Sequence, residues 1–99
     1  MVTYDEIAQM IDHSLLNPAL TDKDIEEGCR IASEYRVATV CVRPSDVIFA
    51  KKLLEGSGVA TTTVIGFPHG TTTTDVKVFE ANEAIDNGSV ELDVVLNIF

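Results

Sequence analysis

An α/β fold built on a parallel sheet is predicted by this sequence from three observations. Four short apolar runs rich in β-branched residues alternate with three stretches of helical spacing. Those stretches carry residues that start or end helices. The 99 residues are 45% hydrophobic and 23% charged, a composition typical of one small folded domain covering residues 1–99. Because strand–helix–strand crossovers are nearly always right-handed, two architectures remain: a small doubly wound sheet, or an arc of a (β/α)8 barrel.

Four segments are predicted as strands, namely residues 10–16, 37–42, 60–67 and 90–98. The first is the weakest, because Asp12, His13 and Ser14 interrupt its apolar character. The other three are nearly continuous apolar runs, which are typical of strands covered on both faces by helices and neighbouring strands. A short leading helix is expected around residues 3–9.

The first two crossover helices are marked by their caps. Thr21 supplies a hydroxyl cap, and Asp24 follows three residues later. Pro44 closes the second strand, and Ser45 is predicted to cap the next helix, which ends before Gly56. The positions predicted to face the sheet are Ile25, Cys29, Ala32 and Tyr35 in the first helix, and Ile48, Phe49, Leu53 and Leu54 in the second.

The third crossover helix is predicted over residues 74–87. It follows a polar loop of threonines that ends in a cap, and it stops at Gly88, where glycine takes positive φ without strain. Its spacing predicts that Val78, Ala81 and Ile85 share the face that packs on the sheet.

Charge and composition exclude several classes of function. Seven Lys and Arg residues against 16 Asp and Glu residues give a net charge of −9, which disfavours nucleic acid and anionic membranes as partners. No apolar segment approaches the length of a membrane span, and the acidic N-terminus does not resemble a secretory signal. We therefore expect a cytoplasmic protein whose two cysteines, Cys29 and Cys41, are free thiols.

Polar residues lie in or directly after every predicted strand, where ligands bind in both architectures. The most informative is Asp93, because an acid inside an apolar run should face a polar cavity or a cation. It is either a proton-transfer residue, the partner of a buried lysine, or an acid on an exposed edge strand. Asp12 is either a second polar group of the same cavity or a helix cap. Cys41 is either a reactive thiol or an inert small hydrophobe.

The other polar residues give weaker evidence for a functional site. His69 is interpreted as a solvated loop histidine, because the sequence offers no second metal ligand at a suitable spacing. No nucleotide-binding glycine motif is present. All four lysines are predicted to lie on helical turns that face water, so the residues alone provide no convincing amine nucleophile; they are Lys23, Lys51, Lys52 and Lys77.

Five segments together resemble the deoxyribose-phosphate aldolase family, in the order and spacing of that family. They are IDHSLLNP, VATVCVRP, VIGFPHG, TTTTDVKVFEANEAIDNG and ELDVVLNI. The resemblance implies a partial (β/α)8 TIM barrel of about four parallel strands, three crossover helices and a short N-terminal helix. It also implies class I Schiff-base cleavage of a small phosphorylated sugar, 2-deoxyribose 5-phosphate, to acetaldehyde and glyceraldehyde 3-phosphate. Neither a metal nor another cofactor is expected.

Site roles follow from the same resemblance. Asp93 matches an aspartate of the proton relay, Asp12 and Ser14 match polar residues that line the substrate pocket, and Cys41 matches a cysteine near it. The Schiff-base lysine of the family would fall beyond residue 99, so the isolated chain is expected to be inactive. The alternative hypothesis is a non-catalytic half-barrel that forms a homo-oligomer to cover its strand edges. A third is a small doubly wound domain that binds a phosphorylated ligand.

Overall fold

A computed structural model describes all 99 residues of the chain. Its elements alternate as the sequence predicts: α1 (Tyr4–Ala8), β1 (Asp12–Leu15), α2 (Asp22–Tyr35), β2 (Thr39–Val42), a 3-10 turn (Pro44–Asp46), α3 (Val47–Leu53), β3 (Ala60–Ile65), α4 (Thr74–Asp86) and β4 (Glu91–Val94). The four strands form one parallel sheet in the order β1-β2-β3-β4.

This strand order decides between the two predicted architectures. Every strand pairs with its neighbour in sequence, and right-handed crossovers then place α2, α3 and α4 on the same face of the sheet. A doubly wound sheet needs a reversal of strand order to place helices on both faces. The chain is therefore an arc of β/α units with helices on one face, which we call the outer face, and the opposite, inner face is free of helices.

The core lies between α2, α3 and the outer face of β2. Its ten buried members are Ile25, Cys29, Ala32, Val37, Val40, Val42, Val47, Ala50, Leu54 and Val59. Val40 and Val42 point outward into this core, while their neighbour Cys41 points to the inner face. Burying a valine or isoleucine side chain contributes roughly 1.5–3 kcal/mol, so this cluster holds the two helices on the sheet.

Two of the three crossover helices begin as predicted. Thr21 and Asp24 form a reciprocal capping box at the start of α2, and the Thr73 side chain accepts a hydrogen bond from the backbone of Val76 at the start of α4. The prediction for α3 is wrong. Ser45 lies inside the 3-10 turn that Pro44 begins, and it does not cap the helix.

The face of α4 also differs from its prediction. Val78 and Ile85 are 53% and 55% exposed, and Val78 lines an open groove against the sheet together with the half-buried Ala81. Ala84 is buried, and Lys77 and Glu80 bond to backbone groups at the end of the sheet. The first two turns of α4 lie over the carboxyl ends of β3 and β4, where Lys77 and Glu80 bond free backbone groups. The prediction that every lysine faces water is therefore wrong for Lys77.

All four strands are shorter than predicted: β1 and β4 are shorter at both ends, β2 only at its start and β3 only at its end. The apolar residues that follow β4 are mainly exposed, namely Leu96, Ile98 and Phe99. None of the helices combines the length and apolar character needed to cross a lipid bilayer.

Candidate active site

Four strands contribute polar side chains to the inner face of the sheet. Alternation along each strand and the pairing register place these side chains on one surface. They are Asp12 and Ser14 from β1, Thr39 and Cys41 from β2, Thr62 from β3, and Asp93 from β4.

The curvature of the sheet brings its two edge strands together at this surface. In a flat sheet, β1 and β4 would lie about 14 Å apart, which is three strand spacings. Carboxylate oxygens of Asp12 and Asp93 and the Cys41 sulfur nevertheless lie within 4.8 Å of one another. The inner face is thus concave, as an arc of a barrel requires.

Asp12 is held by two hydroxyl groups from neighbouring strands. Its Oδ1 accepts a hydrogen bond of 2.6 Å from Thr39 Oγ1 and lies 3.2 Å from Thr62 Oγ1, whose one proton is shared with the Val40 carbonyl at 3.3 Å. Thr39 and Thr62 are both buried, so their hydroxyl groups need partners inside the protein. The carboxylate of Asp12 therefore has a fixed orientation although the residue itself is exposed.

Asp93 lies opposite this carboxylate and accepts a hydrogen bond of 3.6 Å from the Cys41 thiol. Partial removal from water raises the pKa of Asp93 above its ordinary value. A hydrogen bond with Asp12 and repulsion from its charge raise the pKa further, while the Cys41 thiol opposes the shift. Asp93 can therefore hold a proton at a higher pH than an ordinary aspartate does.

Cys41 is almost fully buried beneath the two aspartates. Burial raises the pKa of its thiol to about 11; a hydrogen bond with Thr62 opposes this shift, and the charges of Asp12 and Asp93 increase it. The thiol is consequently neutral at neutral pH and donates a hydrogen bond, which favours the inert alternative of the two predicted for this residue. Burial raises the pKa of Cys29 to about 11 in the same way.

The remaining candidates lie in different places. Ser14 pairs in register with Cys41 and is exposed on the inner face. His13 faces the outer side, where it lines an apolar groove with residues of α1 and α2. His69 is exposed in the loop after β3, as predicted. Arg43 is bonded to Asp46 and to the backbone carbonyls of the loop after β1, so it joins two loops at the carboxyl ends of the strands.

This arrangement is suited to proton transfer. Two carboxylates share a concave open surface, and one of them has a raised pKa, which are the requirements for a general acid–base pair. Asp12, Cys41 and Asp93 are also the one group of side chains close enough to share a metal ion. Both carboxylates already accept hydrogen bonds from the protein, Asp12 from Thr39 and Asp93 from Cys41. The lysines all lie on helices of the outer face.

Sequence reasoning missed the two threonines that hold Asp12 and the contact of Lys77 with the carboxyl end of the sheet. Thr62 lies in a run of three threonines, and strand alternation would have placed it on the opposite face from its two neighbours. Thr39 carries no comparable signal, because threonine is common in strands for its β-branched shape alone.

Comparison with known proteins confirms the resemblance in the motifs. No protein-family profile matches the chain. It is 50% identical over 98 residues to a deoxyribose-phosphate aldolase of Carboxydothermus hydrogenoformans, and this match covers 99% of the chain and 43% of the relative. It is 53% identical over 93 residues to one of Microcystis aeruginosa, covering 94% of the chain and 41% of that relative. The chain thus spans about two fifths of the curated relatives that it matches.

Solved structures agree with the fold. A deoxyribose phosphate aldolase from Aeropyrum pernix, described as having a unique tetrameric structure, superposes with a TM-score of 0.89 at 34% identity. That match covers 97% of this chain and 41% of the other. A structure described as QR15, an aldolase, superposes with a TM-score of 0.87 at 40% identity and covers 94% of this chain and 41% of the other. The partial-barrel fold predicted from the sequence is confirmed.

Proposed function

We propose that this chain carries the acid–base part of a class I aldolase site that cleaves 2-deoxyribose 5-phosphate to acetaldehyde and glyceraldehyde 3-phosphate. The observation that carries the proposal is the approach of Asp12 and Asp93 from opposite edges of a curved parallel sheet. Similarity to proteins named deoxyribose-phosphate aldolase over nearly the whole chain supports the substrate and the reaction.

In this proposal Asp93 moves protons. An amine condenses with the sugar carbonyl and releases water to give a Schiff base. A base then takes the proton of the substrate hydroxyl as the carbon–carbon bond breaks, glyceraldehyde 3-phosphate leaves, and the remaining enamine is protonated before hydrolysis releases acetaldehyde. Asp93 is placed to accept and return such protons because its pKa is raised. Asp12 and Ser14 face the same surface and would hydrogen-bond substrate hydroxyls, while Cys41 supports Asp93 from below.

We further propose that the isolated chain is inactive. Its lysines lie on helices of the outer face, and the ammonium of Lys77 is occupied by two backbone carbonyls, so no amine reaches Asp93. The reaction also needs the reacting groups to be held together, which an open half of a site does not achieve. We place the protein in the cytoplasm, where its free thiols would stay reduced.

A chimera tests both statements. This chain is joined to the part of the Carboxydothermus hydrogenoformans relative that it does not match, and retro-aldol turnover and borohydride trapping with acetaldehyde are measured. We expect turnover in the chimera and neither turnover nor a preferred lysine adduct in the chain alone. Asp93→Asn in the chimera should reduce turnover by about 10²–10⁴-fold, and Asp86→Asn, an exposed acid of α4, should not. A folded but inactive chimera would contradict the proposed function.

A second candidate function is self-association of a non-catalytic half-barrel. Both edges of the sheet lack a neighbouring strand, and Val94 and Leu96 on the β4 side are 50% and 74% exposed. Unpaired strand edges beside apolar side chains favour pairing with another chain. The tetramer described for the Aeropyrum pernix aldolase is consistent with a homo-oligomer. Sedimentation velocity over a range of concentrations tests this candidate.

A further inference from the structure

Lys77 joins two segments at the carboxyl end of the sheet. Its Nζ donates a hydrogen bond of 2.7 Å to the carbonyl of Gly70, in the loop between β3 and α4. It donates another, of 2.9 Å, to the carbonyl of Val95, directly after β4. The stem of the side chain passes close to Gly66, where an added Cβ would lie 3.0 Å from Lys77 Cε. One ammonium group thus links the loop that follows β3 to the end of β4.

The carbonyl of Val95 needs a donor from outside the sheet. Val95 donates its N–H to Ile65 at 2.9 Å, which continues the parallel pairing of β3 and β4. In a parallel ladder its carbonyl would next accept from the N–H of Phe67. The chain has already turned away at Gly66, which has a φ of +67°. Lys77 therefore supplies the donor that the ladder cannot.

The start of the loop after β3 is fixed by the next turn of α4. The backbone N–H of Gly66 donates to Glu80 Oε1 at 2.7 Å. At the far end, Gly70 lies against the backbone after β4, so that an added Cβ would lie 2.3 Å from the carbonyl oxygen of Leu96. The loop and the end of β4 are consequently in direct contact, and Lys77 and Glu80 hold the contact from the helix.

We propose that Lys77 is a positioning residue that fixes the end of β4 and, through it, the place of Asp93 opposite Asp12. Asp93 lies two residues before Val95, and the free edge of β4 has no neighbouring strand. Pairing with β3, the contact of Gly70 with Leu96 and the Lys77 bridge that holds this contact are therefore what restrains this end of the strand. The catalytic importance of the bridge rests on the proposed function, but its effect on the geometry of the aspartates does not.

The test compares Lys77→Met with Lys52→Met in the 99-residue chain. Lys52 is an exposed lysine of α3 without a hydrogen-bond partner, and methionine preserves most of the stem in both variants. The carboxyl pKa of Asp93 is measured by carbon-13 NMR, and amide hydrogen exchange is measured at Val95. We expect Lys77→Met to speed exchange at Val95 by about 10-fold or more. It should also lower the pKa of Asp93 toward the ordinary value, and Lys52→Met should change neither quantity.

The direction of the change in the pKa of Asp93 distinguishes displacement of Asp93 from simple loss of the Lys77 charge. Removing a positive charge by itself would raise the pKa of a nearby carboxyl. A fall therefore reports that Asp93 has been displaced into water and away from Asp12, because burial and Asp12 are what raise its pKa. A folded Lys77→Met chain in which Asp93 and Val95 are unchanged would overturn the proposal.

Two further measurements keep the proposal testable if Lys77→Met does not fold. Lys77→Arg retains hydrogen-bond donors, so it should preserve slow exchange at Val95. In the unmodified chain, Lys77 should react with an amine-acylating reagent at least about 10-fold more slowly than Lys52, and equal rates would contradict the bridge. Neither measurement requires aldolase activity, so an inactive chimera and an absent bridge are distinguishable results.

Discussion

The sequence predicted Asp93 as a candidate site residue, but it could not predict the direction in which the pKa of Asp93 is shifted. An acid in the middle of an apolar strand is rare enough to mark a site. Asp12 raises the pKa of Asp93 only because the sheet is curved, since the two residues lie 81 positions apart in sequence and on strands that do not pair. The hydrogen bonds from Thr39 and Thr62 could not be predicted either, because threonine is common in strands and so does not mark a site.

The raised pKa of Asp93 predicts a pH-dependent effect on stability. A carboxyl whose pKa is higher in the folded than in the unfolded protein destabilises the fold as pH rises from its ordinary value, 3.8, through the folded value. Asp93→Asn removes this penalty. The melting temperature should therefore rise by about 2–4 °C at pH 7, a modest effect because Asp93 is exposed.

Calorimetry at several pH values measures this difference. The advantage of Asp93→Asn should shrink as the pH falls toward 3.8 and should vanish below it, where Asp93 is protonated in the folded and unfolded states alike. Asp86→Asn is a suitable control, because it removes the same charge from an exposed position on α4, away from the inner face. An advantage that persists unchanged at low pH would contradict the assignment.

The type and order of the helices and strands could be predicted from the sequence, whereas the buried faces of the helices and the ends of the strands could not. The capping box at Thr21 is a local interaction, so its residues alone predict it. In α4, Lys77 and Glu80 contact the sheet by bonding free backbone groups, while Val78 remains half-exposed in an open groove. Apolar periodicity cannot detect such a face, because the groups that it serves lie elsewhere in the chain.

The difference between the two helix faces predicts different costs for the same substitution. Ile25 in α2 is fully buried, whereas Ile85 in α4 is 55% exposed. Ile25→Ala should lower the free energy of unfolding by about 2–5 kcal/mol, and Ile85→Ala by less than about 1 kcal/mol. Urea denaturation measures both. If Ile25→Ala is unfolded, the pair Ile25→Val and Ile85→Val provides a milder comparison, and equal costs in either pair would contradict the placement of α4.

For the whole molecule, the strand order determines the architecture. Right-handed crossovers allowed either a doubly wound sheet or a barrel arc, and the sequence contained no local signal to separate them. The order β1-β2-β3-β4 and the meeting of the two aspartates settle the question in favour of the arc. An arc has two open edges, and here the β4 edge is apolar as well as unpaired. The net charge of −9 opposes association of two copies, so apolar burial must exceed this repulsion if the chain self-associates.

The β4 edge can be tested with two substitutions of equal charge and similar exposure. Val94 at this edge is 50% exposed, and Ile48 on α3 is 52% exposed. If copies associate through the β4 edge, the unmodified chain should sediment as a dimer or larger species at about 10–100 µM. Val94→Asp should then raise the dissociation constant by about 10-fold or more, because it places a charge in the contact. Ile48→Asp adds the same charge elsewhere and should leave association unchanged. A monomer at every concentration, or equal effects of the two substitutions, would remove the β4 edge as an interface.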